Sequence, residues 1–132
     1  METDQIQICD FTIFTGRNIY SHRPILKMSV DIGAYGHIPT KDLPGFNDRL
    51  IEAFPGLTKN ACGLGYEGGF IERLREGTYM AHVLEHVVLE MQSMLGYDVR
   101  YGKTRAIEEP SLYYLVCDFE NEVCGLECGK AA

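Results

Sequence analysis

The sequence has little positive charge, no long apolar run and no paired cysteine motif. Lys and Arg number 12 against 19 Asp and Glu, which gives a formal net charge of −7. A domain this acidic is a poor candidate for non-specific binding of nucleic acid or of an anionic membrane surface. No apolar run approaches the roughly 20 residues that a membrane-spanning helix needs. We therefore expect neither a nucleic-acid partner nor a membrane partner.

The cysteines form no recognisable disulfide or metal-binding pattern. Their number is odd and no two of them make a C-x-x-C pair. The N-terminal residues Met-Glu-Thr-Asp-Gln are acidic and polar, unlike a secretory signal. Together these features predict reduced thiols and a cytoplasmic location. The spacing of Cys124 and Cys128 would suit a soft-metal pair, but free thiols are the simpler interpretation.

The pattern of apolar residues predicts one domain, residues 1–132, of the α+β class. With 45% hydrophobic residues, a chain of 132 residues can bury its own core. We expect an antiparallel or mixed sheet with helices packed on one side. The predicted strands are 6–14, 25–32, 97–101 and 112–119, the last in the centre of the sheet. The predicted helices are 45–54, 69–76, 78–95 and 122–132, and residues 102–110 read as a charged loop.

The helix predicted over residues 78–95 is central to the fold. Its apolar residues recur at helical spacing and define one face. Thr78 is a plausible N-cap and Gly96 a plausible C-terminal stop. His82, Glu85 and His86 fall on the opposite face, so the apolar face does not require the two histidines.

The spacing His82-x-x-Glu85-His86 has a chemical meaning. Residues four apart on a helix are neighbours, so the two imidazoles can point at one ion. The sequence matches the H-x-x-E-H pattern of the inverzincins. His82 and His86 would bind Zn²⁺, and Glu85 would take a proton from a water whose pKa the metal lowers. The simpler alternative is two surface histidines flanking a helical glutamate.

A catalytic zinc site needs a third protein ligand, which the motif does not identify. A carboxylate from elsewhere in the chain could complete the site, and we favour Glu122. For each candidate, a solvated surface acid is the competing interpretation. The candidates are Glu90, Glu120, Glu122 and Glu127.

Two glycine-containing stretches resemble phosphate-binding motifs without their context. Residues 63–68 spell G-x-G-x-x-G, but no hydrophobic strand precedes them. Gly102-Lys103-Thr104 resembles the end of a P-loop, but the preceding glycine, Gly96, is at the wrong distance. We reject a dinucleotide site and an ATP site. A flexible loop, or a loop that lets a substrate backbone approach, fits residues 63–69 better.

Several motifs in a fixed order resemble the N-terminal domain of cyanophycin synthetase. The resemblance runs from about residue 10 to the end of the chain. The motifs are Thr15-Gly16-Arg17-Asn18-Ile19-Tyr20-Ser21, Arg23-Pro24, Leu43-Pro44-Gly45-Phe46, Gly65-Tyr66-Glu67-Gly68-Gly69-Phe70, Glu72-Arg73-Leu74-Arg75-Glu76-Gly77-Thr78, His82-Val83-Leu84-Glu85-His86-Val87, Leu89-Glu90-Met91-Gln92 and Gly102-Lys103-Thr104-Arg105.

The resemblance implies a function. Cyanophycin synthetases build a poly-aspartate backbone with arginine side groups, using ATP-grasp and Mur-ligase-like domains that 132 residues cannot hold. In that family the N-terminal domain is associated with holding the polymer. Members that keep H-x-x-E-H also act as metallopeptidases that cut the polymer into primers. The resemblance therefore implies a zinc peptidase acting on cyanophycin or a related polymer, and association with ligase domains or with further copies of the chain.

The residues expected to line the approach to the metal are glycines and basic side chains. Basic side chains could meet substrate carboxylates, and nearby glutamates could meet arginine groups. Two alternatives stay open: a non-catalytic module that binds polymer or assists assembly, and a metallohydrolase for an unrelated peptide. The expected substrate-binding residues are Gly68, Gly69, Arg73, Arg75, Lys103 and Arg105.

Overall fold

The computed structural model describes residues 6–20, 23–33, 35, 38–59, 68–97, 99, 102–107 and 112–131. The part of the chain that it describes contains strands and helices in the order ββαααββα. Short 3-10 turns lie at Thr40–Asp42 and Pro55–Lys59. The elements are β1 (Gln7–Phe14), β2 (Ile25–Asp31), α1 (Phe46–Ala53), α2 (Gly69–Glu76), α3 (Met80–Met94), β3 (Gly102–Ala106), β4 (Leu112–Asp118) and α4 (Glu122–Ala131).

The four strands form an open antiparallel sheet in the order β1-β2-β4-β3. Leu26 of β2 pairs with Cys117 of β4, which pairs in turn with Gly102 of β3. Because side chains alternate along a strand, these residues and every second residue beyond them share one face. The prediction of an α+β fold is therefore confirmed, and β4 lies inside the sheet as expected.

The position of β3 corrects the sequence analysis. The strand occupies Gly102–Ala106, which we had assigned to a charged loop. Tyr97 and Val99, in the stretch expected to form this strand, are not part of it. Lys103 and Arg105 made the segment look like a solvated loop. In an edge strand, however, only one face needs to be apolar, and alternate charged residues can face solvent.

Helix α3 lies between the sheet on one side and helices α1 and α2 on the other. On its sheet side, Leu84 and Val88 join a core with Met28 and Leu115. On the other side, a second core brings together α1, α2 and the Pro55–Lys59 turn; its members are Leu50, Leu57, Phe70, Ile71, Leu74, Val83 and Val87. Burial of each large apolar side chain stabilises the fold by about 1.5–3 kcal/mol. The two cores fix α3 on opposite sides, so the helix is central as predicted.

Helix α4 packs on the same face of the sheet as α3. A Cβ placed on Gly129 would lie 3.1 Å from Leu26 Cδ2 and 3.3 Å from Phe11 Cε1. A glycine in a helix is intrinsically unfavourable, but here it lets the helix approach the sheet closely. No helix in the described ranges is both long enough and apolar enough to cross a membrane.

The ends of α3 agree with the predicted span to within two residues. At its C-terminus, Gly96 has φ of 91°, and the Gly96 and Tyr97 amides donate to the carbonyls of Ser93 and Gln92. This is a Schellman motif, which requires the left-handed conformation that glycine adopts readily. At the N-terminus the cap position is Tyr79, with no side-chain cap hydrogen bond. The Thr78 hydroxyl, expected to cap the helix, contacts a histidine instead.

Candidate metal centre

Three side chains of the motif converge on one point beside α3. The Nε2 atoms of His82 and His86 are 3.0 Å apart, and Glu85 Oε2 is 3.4 Å from His86 Nε2. One ligand atom from each residue lies within 4.8 Å of the corresponding atoms of the other two. The group is not on a solvated helix face, because His86 and Glu85 are each only 5% exposed.

The orientation of His82 is set by Thr78. The Thr78 hydroxyl and His82 Nδ1 form a hydrogen bond of 2.9 Å. Thr78 is itself buried, and its backbone exchanges hydrogen bonds with Thr40. With Nδ1 engaged, the ring presents Nε2 to His86. A hydrogen bond on the far nitrogen is the usual way in which a metal-binding histidine is oriented.

The ring of Phe70 packs against the imidazole of His86. Phe70 of α2 is fully buried, and its ring centroid lies 4.2 Å from that of His86 with the planes tilted by 31°. The same ring meets His82 edge-on at 5.8 Å. Phe70 therefore contacts both imidazoles and restricts their movement. In the sequence, Phe70 was noted only as the last residue of one motif, and nothing there indicated its contact with the two histidines.

Both histidines are neutral near pH 7. Burial lowers the pKa of His82 to about 4, and the charge of Arg73 contributes in the same direction. Burial likewise lowers the pKa of His86 to about 3, followed by the effects of His82 and Arg73. Neutral imidazole is the form that binds a metal, so the pair needs no deprotonation to do so.

Glu85 is held in place by β3. The Thr104 hydroxyl donates a 2.6 Å hydrogen bond to Glu85 Oε1. A Cβ on Gly102 would lie 2.8 Å from both Glu85 Cγ and Oε2, so the carboxylate occupies space that only glycine leaves open. Burial raises the pKa of Glu85, and the Thr104 hydrogen bond opposes that shift. Sequence reasoning missed both residues because it placed them in a loop.

The donor set suits zinc better than magnesium or calcium. Two imidazole nitrogens with a neighbouring carboxylate are ligands typical of zinc and other transition metals, whereas the hard cations prefer all-oxygen sites. His82 and His86 would hold the ion. Within the described ranges, these two residues and Glu85 are the members of the group.

The structure does not bring Glu122, our expected third ligand, to this group. Glu122 is the exposed first residue of α4. Three residues later, Gly125 lies against Gln92 and Phe119. Gln92 is six residues beyond His86, which corresponds to roughly 9 Å along the axis of α3. The start of α4 therefore lies beside the C-terminal part of α3, away from the two histidines.

The other acidic candidates are also directed elsewhere. The Glu90 carboxylate lies against Gly56 of the second 3-10 turn. Glu120 is 3.7 Å from Arg23, and Glu127 is 3.7 Å from Lys130. None of them belongs to the His82, Glu85 and His86 group.

The expected substrate-binding residues do not all lie together, and Arg75 is an exposed residue near the end of α2. Gly68 and Gly69 start α2, where Gly68 has φ of 88°, and Arg73 is close enough to act electrostatically on both histidines. Lys103 and Arg105, by contrast, alternate along β3 with Gly102 and Thr104. They therefore lie on the sheet face opposite Glu85. Residues 63–67 of the glycine-containing loop lie outside the described residues.

Fold and site together define an α+β domain with a candidate His-Glu-His metal centre. Residues 27–132 match the sequence model of a family described as the cyanophycin synthase-like N-terminal domain. The chain therefore belongs to this family, as the ordered motifs indicated.

Full-length relatives agree with this assignment. The chain is 37% identical over 129 residues, 96% of its length, to a cyanophycin synthetase of Trichormus variabilis. It is 39% identical over 119 residues to the enzyme of Crocosphaera subtropica and 38% identical over 119 residues to that of Synechocystis. These matches cover 89% of the chain in both cases. In all three, the matched region is 14% of the relative's length.

Proposed function

We propose that this domain is a zinc-dependent peptidase that binds cyanophycin-type polymer of aspartate and arginine and cuts it into short primers. The observation that carries the proposal is the convergence of the two Nε2 atoms, 3.0 Å apart, beside the Glu85 carboxylate. Two imidazoles and an adjacent base are three of the groups that a catalytic zinc site of this type needs, and a third protein ligand is the fourth. The relatives named cyanophycin synthetases support the choice of polymer.

In this proposal each side chain has a defined task. His82 and His86 hold the metal. A bound Zn²⁺ would supply Lewis acidity at the scissile carbonyl and at the attacking water. Glu85 would accept a proton from the attacking water while the water oxygen bonds to the carbonyl carbon. Glu85 then returns the proton to the amide nitrogen as the C–N bond breaks. Thr104 keeps the Glu85 carboxylate directed at the group.

The surroundings of the group favour an acidic substrate segment. Arg73 lies in the turn of α2 that follows Phe70, and its charge acts on both imidazoles. Its side chain is exposed. A guanidinium there can pair with a carboxylate of the substrate through two parallel hydrogen bonds. In the proposed substrate, that carboxylate would be at a chain end or on an unmodified aspartate.

One observation favours a second candidate function, a polymer-binding module without peptidase activity. In the described ranges, the group contains two imidazoles and the proposed base, but no third ligand. If no further donor completes the site, its affinity for zinc will be low. The fold would then serve to hold polymer for other domains.

Metal analysis combined with a polymer-cleavage assay tests the proposal. We expect the untreated protein to contain about one zinc per chain and to shorten purified polymer on a sizing gel. Glu85→Gln should keep the metal and lose cleavage by a factor of about 100 or more. Glu127→Gln, an exposed helical acid, is the matched control and should cleave normally. A zinc-loaded wild type that leaves the polymer length unchanged refutes the peptidase. Retained polymer binding would then support the second candidate.

A further inference from the structure

Helix α4 carries two cysteines, Cys124 and Cys128, that the proposed peptidase does not use. We call these two residues and Tyr97 the α4 thiol cluster. Cys124 Sγ lies 3.6 Å from the Tyr97 hydroxyl, and Cys128 is 5% exposed at the core on the helix side of the sheet. Both cysteines are free thiols, and neither belongs to the candidate metal group described above. The cluster is therefore a separate set of side chains that can bind a metal.

The two thiols lie one helical turn apart on the same face of α4. Residues four apart on a helix have Cβ atoms about 5–6 Å apart. Side chains on a helix lean toward its N-terminus, so the Cys128 side chain extends toward Cys124. The electrostatics agree with this proximity: burial raises the pKa of the Cys128 thiol, and Cys124 adds to that shift. The two sulfur atoms are therefore neighbours.

Close packing fixes the helix that holds the two thiols. Each cysteine is followed by a glycine, and a Cβ on Gly125 would lie 2.8 Å from the Cβ of Phe119. Gly129 packs closely against the sheet in the same way. At the start of α4, Asn121 Oδ1 accepts a 3.0 Å hydrogen bond from the Cys124 amide and caps the helix. The thiols thus occupy a preformed position, which a bound ion does not have to order.

The spacing of the two thiols suits a bridging ion better than a disulfide. A disulfide needs Cβ atoms about 3.5–4.5 Å apart, which is closer than two residues at this helical spacing. Two metal–sulfur bonds of about 2.3 Å place their sulfur atoms up to about 4.6 Å apart and span the extra distance. An ion can therefore join the two thiols without unwinding α4, whereas a disulfide cannot.

The number of donors selects the kind of ion. Zinc in structural sites is almost always tetrahedral, with a full set of protein ligands. In the described ranges, no further histidine, cysteine, aspartate or glutamate joins the two thiols in a possible metal group. Thiolates are soft ligands that select Cu(I), and Cu(I) is stable between two sulfur ligands. We propose that the α4 thiol cluster binds one Cu(I) ion between Cys124 Sγ and Cys128 Sγ.

The surroundings of the cluster suit the charge of this complex. Binding releases both thiol protons, so two thiolates and one Cu⁺ leave a single negative charge. Cys124 is in the first turn of α4, where the helix dipole favours negative charge. The Tyr97 hydroxyl keeps its proton at neutral pH, because its hydrogen bond with Cys124 and the charge of that sulfur raise the pKa of Tyr97. The hydroxyl can therefore donate to Cys124 Sγ and orient it.

Anaerobic titration of the reduced, intact chain with Cu(I) tests the proposal. Bicinchoninate, a chromophoric Cu(I) chelator, is the competitor. We expect one Cu(I) per chain to be withheld from the chelator, and copper X-ray absorption to show a first shell of two sulfur atoms and no nitrogen. Complete transfer of Cu(I) to the chelator overturns the proposal. A first shell that contains nitrogen also overturns it, since histidine would then hold the ion.

Cysteine variants test which thiols hold the ion. Cys124→Ser and Cys128→Ala should each weaken Cu(I) binding by about 100-fold or more, because each leaves a single thiolate. Cys9→Ser removes an exposed thiol of β1 and is the matched control, with unchanged affinity. Cys124 is only half-buried, so its variant decides the question if loss of the core thiol Cys128 unfolds the chain. Full affinity in Cys124→Ser contradicts the proposal.

The two proposals can fail separately. The double substitution His82→Ala and His86→Ala should abolish polymer cleavage and leave Cu(I) binding intact. If Cu(I) binding disappears in that double variant, the histidines hold the ion and the thiol site is refuted. If cleavage is absent while Cu(I) binds through two sulfur atoms, the peptidase alone is refuted.

Discussion

The Thr104 hydroxyl lies 2.6 Å from Glu85 Oε1 and joins the edge strand β3 to the middle of α3. This hydrogen bond connects a residue 19 positions further along the chain to the proposed base. It orders a carboxylate that burial alone would leave poorly solvated. The contact makes β3 part of the site, and it leads to the first prediction.

Thr104→Val should impair catalysis while leaving the fold intact. The substitution nearly preserves shape but removes the donor to Glu85. Since that hydrogen bond lowers the pKa of Glu85, its loss should raise the pKa further. We expect the acidic limb of the pH–rate profile for polymer cleavage to move to higher pH, and the rate at neutral pH to fall about tenfold. Thr104→Ser keeps the donor and should restore both. An unshifted profile in Thr104→Val contradicts the role of Thr104.

Gly102→Ala should destabilise the protein. The new Cβ would lie 2.8 Å from Glu85 Cγ and 2.9 Å from its Cδ, so the helix side chain must move. We expect a loss of about 1–3 kcal/mol in the free energy of unfolding measured in urea. Gly16→Ala is the matched control, because nothing lies within 4 Å of its Cβ position. That variant should change stability by less than about 0.5 kcal/mol. Equal stability of the two variants would show that Glu85 can move without cost.

Thr78→Val should weaken metal binding. The hydroxyl bonded to His82 Nδ1 at 2.9 Å fixes the direction of Nε2. Loss of such an orienting partner typically reduces metal affinity by about 10–100-fold. Zinc competition with a chromophoric chelator measures this directly, and Thr78→Ser should bind like the wild type. The thermal midpoint of the metal-free variants should be recorded in parallel. A loss of stability with unchanged zinc affinity would mean that Thr78 serves only the fold.

The stability of the metal-free protein should fall as the pH drops below 6.5. In the unfolded chain both histidines titrate near pH 6.5, whereas in the fold their pKa values are about 4 and about 3. Between those values the unfolded state binds more protons, so acidification favours unfolding. The raised pKa of Glu85 acts in the opposite direction, since the folded state then takes up a proton above pH 4.5, and offsets part of the loss.

Urea midpoints of the chelated protein from pH 8 to pH 5 check this expectation. The double variant His82→Gln and His86→Gln removes both titrating groups and is the comparison. Its midpoint should depend less steeply on pH than that of the wild type. If the two curves are parallel, the imidazoles are not buried in the neutral form.

The sequence predicted the helix at the centre of the fold because two of its signals agreed. Apolar residues at helical spacing and a glycine stop at Gly96 both indicate the same segment, and α3 spans Met80–Met94. The histidine spacing then fixed the geometry of the pair, because residues four apart on a helix are neighbours whatever the tertiary fold. Helical spacing alone was therefore sufficient to predict that His82 and His86 lie close together. It also predicted that Glu85 lies beside them, because Glu85 belongs to the same helical turn.

Features that depend on tertiary contacts could not be found in this way. The charges at Lys103 and Arg105 concealed β3, since an edge strand with one solvated face lacks a strong apolar signal. Because β3 was not recognised, the contacts of Gly102 and Thr104 with Glu85 could not be predicted. Glu122 is not a member of the His82, Glu85 and His86 group for a related reason. Which end of α3 receives α4 is decided by packing at Gly125 and Gly129, and not by any local pattern.

The alternation along β3 also separates the position of the Glu85 carboxylate from the charge of the outer sheet surface. Gly102 and Thr104 face the carboxylate, while Lys103 and Arg105 face away from it. Substitutions at Lys103 and Arg105 can therefore reverse the electrostatic potential of the outer sheet surface. The even-numbered positions would continue to hold the buried acid unchanged.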